Sequence, residues 1–199
     1  MCFAPRAAAA AGLFAVLAWA GAAIAQEAEG ASEYVRDGWY AGANWSMGIE
    51  NWQETAGSSV ENAQGLAGYV GWRFLENYGL DIQYEWFHEF QLASPAVSAN
   101  AHIFTFNLRY YVPFDRIQPY ALAGMGLMQS SREGSFGDLT DGASGNFAGR
   151  LGGGLDLYLT RNWVFEASAA YVVPSGNLNQ LEFFSLAAGF QYRFEPVVY

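Results

Sequence analysis

The strongest constraint on this chain is a two-residue alternation, repeated in eight runs, that sorts bulky side chains from small or ionic ones. Trp39, Ala41, Ala43, Trp45, Met47 and Ile49 share one face of the first run, with Tyr40, Gly42, Asn44, Ser46 and Gly48 on the other. The second opposes Leu66, Gly68, Val70, Trp72 and Phe74 to Ala67, Tyr69, Gly71 and Arg73. The third opposes Leu80, Ile82, Tyr84 and Trp86 to Asp81, Gln83 and Glu85, and the fourth Phe104, Phe106, Leu108 and Tyr110 to Thr105, Asn107, Arg109 and Tyr111. Runs six to eight continue the pattern with Phe147, Leu151 and Leu155; Phe165, Tyr171 and Val173; and Phe184, Leu186, Phe190, Tyr192 and Phe194. The fifth, Tyr120 to Gln129, is so rich in Gly and Ala that its faces stay unassigned.

Period-two runs of this length are strands, and their connections alternate in length. Leu75–Tyr78, Val112–Gln118 and Thr160–Asn162 are short; Asn51–Asn62, Gln91–Asn100, Ser130–Ser144 and Pro174–Gln180 are longer and polar. Short turns at one end and long loops at the other describe an up-and-down barrel, and in membrane barrels the short turns are periplasmic.

Which face points outward decides between water and lipid. A soluble barrel, such as a lipocalin-like carrier, would hide the bulky face inside. Eight strands leave room for side chains and little else, so rows of Trp, Phe, Tyr and Leu would overfill that bore. Turned outward, they form an apolar band that requires hydrocarbon. The expected fold is therefore all-β, an eight-stranded antiparallel up-and-down transmembrane β-barrel. Composition agrees: 52% of residues are hydrophobic, 17% aromatic and only 14% charged, against about 25% charged in a typical soluble domain.

That orientation turns Arg73, Asp81, Glu85, Arg109, Arg150, Asp156, Glu166 and Arg193 into the lumen, mostly near the short-turn end. Unpaired charge in so dry a space is costly, which predicts Arg–carboxylate pairing. The network reads as an internal salt-bridge plug; a polar gate or ion path is the functional alternative.

The ends of the chain are different in kind. Arg6 precedes an Ala-rich apolar run from Ala7 to Ala23, and Ala23-Ile24-Ala25 has the small-x-small form of a signal-peptidase site. Residues 1–25 are read as a signal peptide, with an uncleaved membrane helix as the alternative, since about 20 apolar residues suffice to span. Residues 26–37 form a short acidic tail, 38–194 the barrel and 195–199 a C-terminal tail in which Pro196 stops pairing. The single cysteine, Cys2, leaves with the signal, so the mature part has no disulfide or Cys-based metal site. A formal charge of −10 with no lysine speaks against a nucleic-acid partner.

Four stretches resemble the small OmpA-like or OmpW/OmpX-like barrels of the porin-family β-barrel domain: Gly38 to Asn44, Pro119 to Gly126, Gly152 to Trp163, and Gly189 to Phe194. The resemblance implies residence in the bacterial outer membrane among lipid and lipopolysaccharide. It further implies assembly by periplasmic chaperones and the outer-membrane insertion machinery, with Gly189, Tyr192 and Phe194 in the closing aromatic signal.

Little in the chain points to catalysis, and no cofactor or metal is expected. His88 and His102 flank the second long segment, where pairing of the third and fourth runs could set them opposite each other near Glu89, Ser94 and Ser98. No compact nucleophile–base spacing accompanies them, so they read as amphipathic rings at the lipid–headgroup boundary. Gly152-Gly153-Gly154 lacks the lysine of a phosphate loop and reads as close backbone packing in the bore. The loop acids Glu50, Glu54, Glu61, Asp138 and Asp141 read as solvated, with divalent-cation bridging to lipopolysaccharide as the alternative. The leading expectation is a non-enzymatic barrel serving envelope integrity or surface interaction. The rivals are a narrow channel for small or hydrophobic solutes and a lipid A-modifying enzyme.

Overall fold

The computed structural model describes residues 33–50, 63–91, 98–132, 146–175 and 182–195, without the side chains at 50, 89–91, 98–99 and 130–132. The signal-peptide segment, Ser94, Glu54, Glu61, Asp138, Asp141 and Pro196 lie outside the described residues. Eight strands follow in order: β1 Gly38–Glu50, β2 Ala63–Phe74, β3 Tyr78–Gln91, β4 Ser98–Tyr111, β5 Ile117–Arg132, β6 Asn146–Tyr158, β7 Trp163–Pro174 and β8 Phe183–Arg193. Each pairs antiparallel with its sequence neighbours, and β8 returns to β1 to close the barrel. The closing seam runs one residue past β8, where Phe194 N donates to Trp39 O at 3.0 Å.

The register fixes the shape. Following paired residues once round from Trp39, through Trp72, Leu80, Leu108, Ala123, Leu151, Tyr171 and Phe184, returns to β1 at Ile49, ten residues further on. Such a stagger over eight strands tilts them by about 40° from the axis. Ten residues at that tilt rise about 25 Å, the height of the apolar band of a membrane barrel.

Alternation is strict along β2, where every second residue from Ala63 to Arg73 is buried and those between are exposed. Outward-facing Leu66, Val70, Ile82, Phe106, Leu108, Met125 and Leu151 are all exposed, Met125 at 60%. An aromatic girdle marks the short-turn rim: Trp39 meets Trp72 edge-on at 5.1 Å, and Tyr192 meets both Trp163 and Phe194 at 5.2 and 5.1 Å. For β5 the register puts Ala121, Ala123, Met125 and Leu127 outside and Tyr120, Leu122 and Met128 inside. Both its faces carry apolar residues, which is why alternation alone did not separate them. The second long segment is shorter than its polar composition suggests, since β3 runs to Gln91 and β4 begins at Ser98.

Both ends of the bore are closed by side chains. At the long-loop end Phe87, Ile103, Met128, Val172 and Phe183 pack with Ala63, Ala101 and Ala148 into an apolar plate. At the short-turn end Tyr34, ahead of β1, packs on Tyr158 and Val164. Arg36 holds that segment by donating to the carbonyls of Arg161 and Arg193. The β2–β3 turn is held too: Leu75 and Glu76 adopt φ of 52° and 59°, while Arg73 Nε donates to Glu76 O and Asp37 accepts from Glu76 N. These are the left-handed angles of a tight hairpin turn, usually taken by Asn and Gly.

If the outward band faces hydrocarbon, Phe106→Arg near mid-height should destabilise the barrel by about 2–4 kcal/mol. Equilibrium urea unfolding in lipid vesicles reads this, and a cost under about 0.5 kcal/mol would contradict the orientation.

Candidate functional site

The lumen is the candidate site, because strand alternation delivers all eight ionic side chains named from the sequence into it, each at most 4% exposed. They divide into tiers along the axis. The central tier is built on Arg109 of β4, whose Nε donates to Asp81 at 2.5 Å and whose Nη1 donates to Glu166 at 2.6 Å. Tyr69, Tyr120 and Tyr40 surround this guanidinium, their ring centres 4.7, 4.9 and 5.8 Å from its carbon. Glu166 also accepts hydrogen bonds from the hydroxyls of Tyr69 and Tyr120 and from Asn44 Nδ2. Asp81 accepts from Asn107 Nδ2 at 2.7 Å and from Tyr40.

Nearer the long loops, Arg150 of β6 reaches across to Glu85 of β3 at 2.5 Å. Ser185 and Ser46 donate to the other oxygen of Glu85. Nearer the short turns, Arg193 pairs with Asp156 at 3.0 Å. Arg73 works with neutral groups instead: Nη1 donates to Gln118 at 2.6 Å and to Tyr158 at 3.3 Å, and the carbon lies 4.3 Å over the Tyr111 ring. Four arginines meet four carboxylates in the lumen, so the named charges sum to zero with no mobile counterion. Such an array can hold strands in register; as an open ion path it would have to break charge-assisted bonds worth about 1.5–3 kcal/mol each.

The alternation set Tyr40, Tyr69 and Tyr111 on the same inward faces as the small and ionic residues, but gave the tyrosines no part in the network. Tyr40, Tyr69, Tyr111, Tyr120 and Tyr158 are all buried in the bore; Tyr158 continues the register of Asp156, whereas Tyr120 lies in the run whose two faces alternation does not separate. Glycine makes room for them. Tyr40 pairs with Gly71, Tyr69 with Gly42 and Tyr120 with Gly154, and a Cβ at any of the three glycines would collide with the facing ring. Gly152 and Gly154 thus belong to lumen packing, while Gly153 takes the outward register of Leu151 and Leu155.

The two histidines lie outside the bore. His102 pairs with Trp86 rather than with His88, and His88 pairs with Gln64 of β2. Tyr84 hydrogen-bonds His102 Nδ1 at 2.8 Å, and His88 Nδ1 meets Asn100 Oδ1 at 3.1 Å. Among the described residues no group of His, Cys, Asp and Glu is arranged to hold a metal ion. Gly189 faces Asn44 across the β1–β8 seam, while Tyr192 and Phe194 stand at the outer short-turn rim.

Removing one partner of a buried pair leaves the other charge uncompensated, so Glu85→Gln is expected to cost about 3–5 kcal/mol. The double change Glu85→Leu with Arg150→Met should recover most of that loss, read from urea midpoints of refolded barrel. Gly42→Ala, which displaces the Tyr69 ring, should cost about 1–3 kcal/mol in the same assay.

Comparison with known proteins gives the arrangement its context. Residues 7–194 match the family model described as the outer membrane protein beta-barrel domain. Among solved structures, Neisserial surface protein A superposes with a TM-score of 0.62 at 18% identity, covering 83% of this chain and 100% of that one. The outer membrane protein OprG of Pseudomonas aeruginosa gives 0.58 at 14% identity, covering 82% and 99%. Ail, the attachment invasion locus protein of Yersinia pestis, gives 0.52 at 17% identity, covering 79% and 97%. At these identities the likeness is one of fold. No curated protein matches the sequence. With the family model spanning nearly the whole chain, the protein belongs to the outer membrane protein β-barrel domain family and is an integral barrel of the outer membrane.

Proposed function

We propose that this protein is a sealed, non-enzymatic structural barrel that supports the envelope and presents its long loops for surface contact. The observation that carries this reading is the filled bore. Three tiers of ion pairs and tyrosines lie between the Phe87–Phe183 plate and the Tyr34 stopper. A solute crossing it would have to displace both apolar ends and separate buried ion pairs that neutralise each other. The non-catalytic part of the reading is supported by the histidine contacts, His102 Nδ1 with the Tyr84 hydroxyl and His88 Nδ1 with Asn100 Oδ1, both on the outer wall and away from the buried carboxylates.

Segments 51–62, 92–97, 133–145 and 176–181 all join strands at the end opposite the short turns, and this end is read as the cell exterior. Ail was solved with a heparin analogue, sucrose octasulfate. A chain carrying a formal charge of −10 repels such a polyanion at long range. The loop partner is accordingly read as neutral or basic.

Planar-bilayer recording tests the sealed state. Protein that shows a heat-modifiable band, and is therefore inserted and folded, should give no stepwise conductance in molar salt. Regular unitary steps from such protein would overturn the reading in favour of a channel.

A further inference from the structure

Over most of their length the strands are polar inside and apolar outside, but at the long-loop rim β2 to β5 reverse that order. Inside, Phe87, Ile103 and Met128 are buried in the apolar plate. Outside, the same stretches turn Gln64, His88, Asn100, His102 and Gln129 away from the barrel. The register joins them into one patch, since Gln64 pairs with His88 and His102 pairs with Gln129. Strand rise and tilt put four of the five, Asn100 excepted, roughly 23–28 Å above Trp39, where the hydrocarbon band ends. At the same height the described outward strand residues on the far side are Ile49, Phe147, Val173 and Phe184, with Ser175 just above them donating to the Phe147 carbonyl. The acidic residue there, Glu182, is engaged by the Tyr171 hydroxyl. Among the described residues the cluster of imidazoles and amides is therefore one-sided, where a general headgroup belt would encircle the barrel.

Its chemistry is specific. The Tyr84 hydroxyl and His102 Nδ1 share a hydrogen bond of 2.8 Å, which leaves the ring's Nε2 on the other side. Asn100 Oδ1 accepts from His88, which keeps that ring's proton on Nδ1. Trp86 stands beside His88, ring centres 5.6 Å apart, as a wall rising from the acyl region. Imidazoles and primary amides both donate and accept, which matches a headgroup presenting hydroxyls together with phosphate oxygens; a phosphate alone would be better served by Arg or Lys.

We propose that the patch Gln64, His88, Asn100, His102 and Gln129 binds the sugar-phosphate headgroup of one outer-leaflet glycolipid, its acyl chains lying along Trp86 and Phe104. The site lies on the outer wall and does not depend on whether the lumen conducts.

The test uses the full barrel in phosphatidylcholine nanodiscs doped with equal amounts of lipid A and phosphatidylglycerol, with retained lipid counted by native mass spectrometry. Wild type should keep lipid A about tenfold over phosphatidylglycerol, one charge-assisted hydrogen bond's worth of preference. The double variant His88→Phe with His102→Phe, which keeps the rings, should lose that preference while remaining heat-modifiable. If that variant does not fold, Gln64→Leu with Gln129→Leu should lose the preference instead. Equal retention of both lipids by wild type, or undiminished preference in a folded variant, would overturn the proposal. So would displacement of the imidazole resonances by inorganic phosphate in pure phosphatidylcholine discs without any preference for lipid A, which would mark a free-anion site.

Discussion

Hydrocarbon offers no partner to a peptide N–H or C=O, so a strand entering it must be paired along both edges. Every other feature of this structure follows from meeting that demand with only eight strands. Closure at a stagger of ten residues sets the tilt and, with it, a bore barely wider than the side chains that fill it. Large apolar groups must then leave for the outer wall, where the lipid accepts them. What stays inside must be small, or must interlock. The tyrosine-over-glycine pairs show the second solution, with one strand giving up its Cβ so that the neighbour's ring can lie flat across it.

The polar filling obeys a similar economy. Each buried charge needs an opposite charge or several aligned dipoles, and the tiers supply both. Arg109 is shared by two carboxylates, whose remaining lone pairs are taken by tyrosine hydroxyls and side-chain amides. Arg73 is handled the other way, through Gln118, Tyr158, a turn carbonyl and an aromatic face. Its hold on the Glu76 carbonyl links the lumen to a turn whose backbone angles would otherwise suit glycine.

How much of this could be read from the sequence depended on contrast between the two faces. In β2, β3 and β4, Trp, Phe and Leu oppose Gly, Asp and Arg, so the inward set was legible residue by residue. In β5 the inward Tyr120, Leu122 and Met128 are as apolar as the outward Met125 and Leu127, and contrast vanishes. The apolar plate was hidden for the same reason: Phe87, Ile103 and Phe183 continue the ionic face of their strands but end it with hydrophobes. Tyr34 and Arg36 sit in a segment that reads as an acidic tail, and nothing local announces that they meet Tyr158 and the Arg193 carbonyl. The ionic residues were legible one by one. Their partners were not, because pairs such as Arg150–Glu85 and Arg109–Glu166 cross the bore between strands that are not neighbours.

Glu166 of β7 illustrates what such crossing does. Its two oxygens are bonded from β1 through Asn44, β2 through Tyr69, β4 through Arg109 and β5 through Tyr120. Adjacent hairpins can zip together one after another, but this carboxylate reaches its full set of donors only when the first and last strands have met. Completing the lumen and closing the ring are thereby coupled: a half-rolled sheet can form the Arg109–Asp81 pair of neighbouring β3 and β4, but not the bonds that Glu166 and Glu85 receive across the bore. Most of the polar filling is therefore secured only by the last seam to form, so the ends of the chain hold together a network centred on the strands between them.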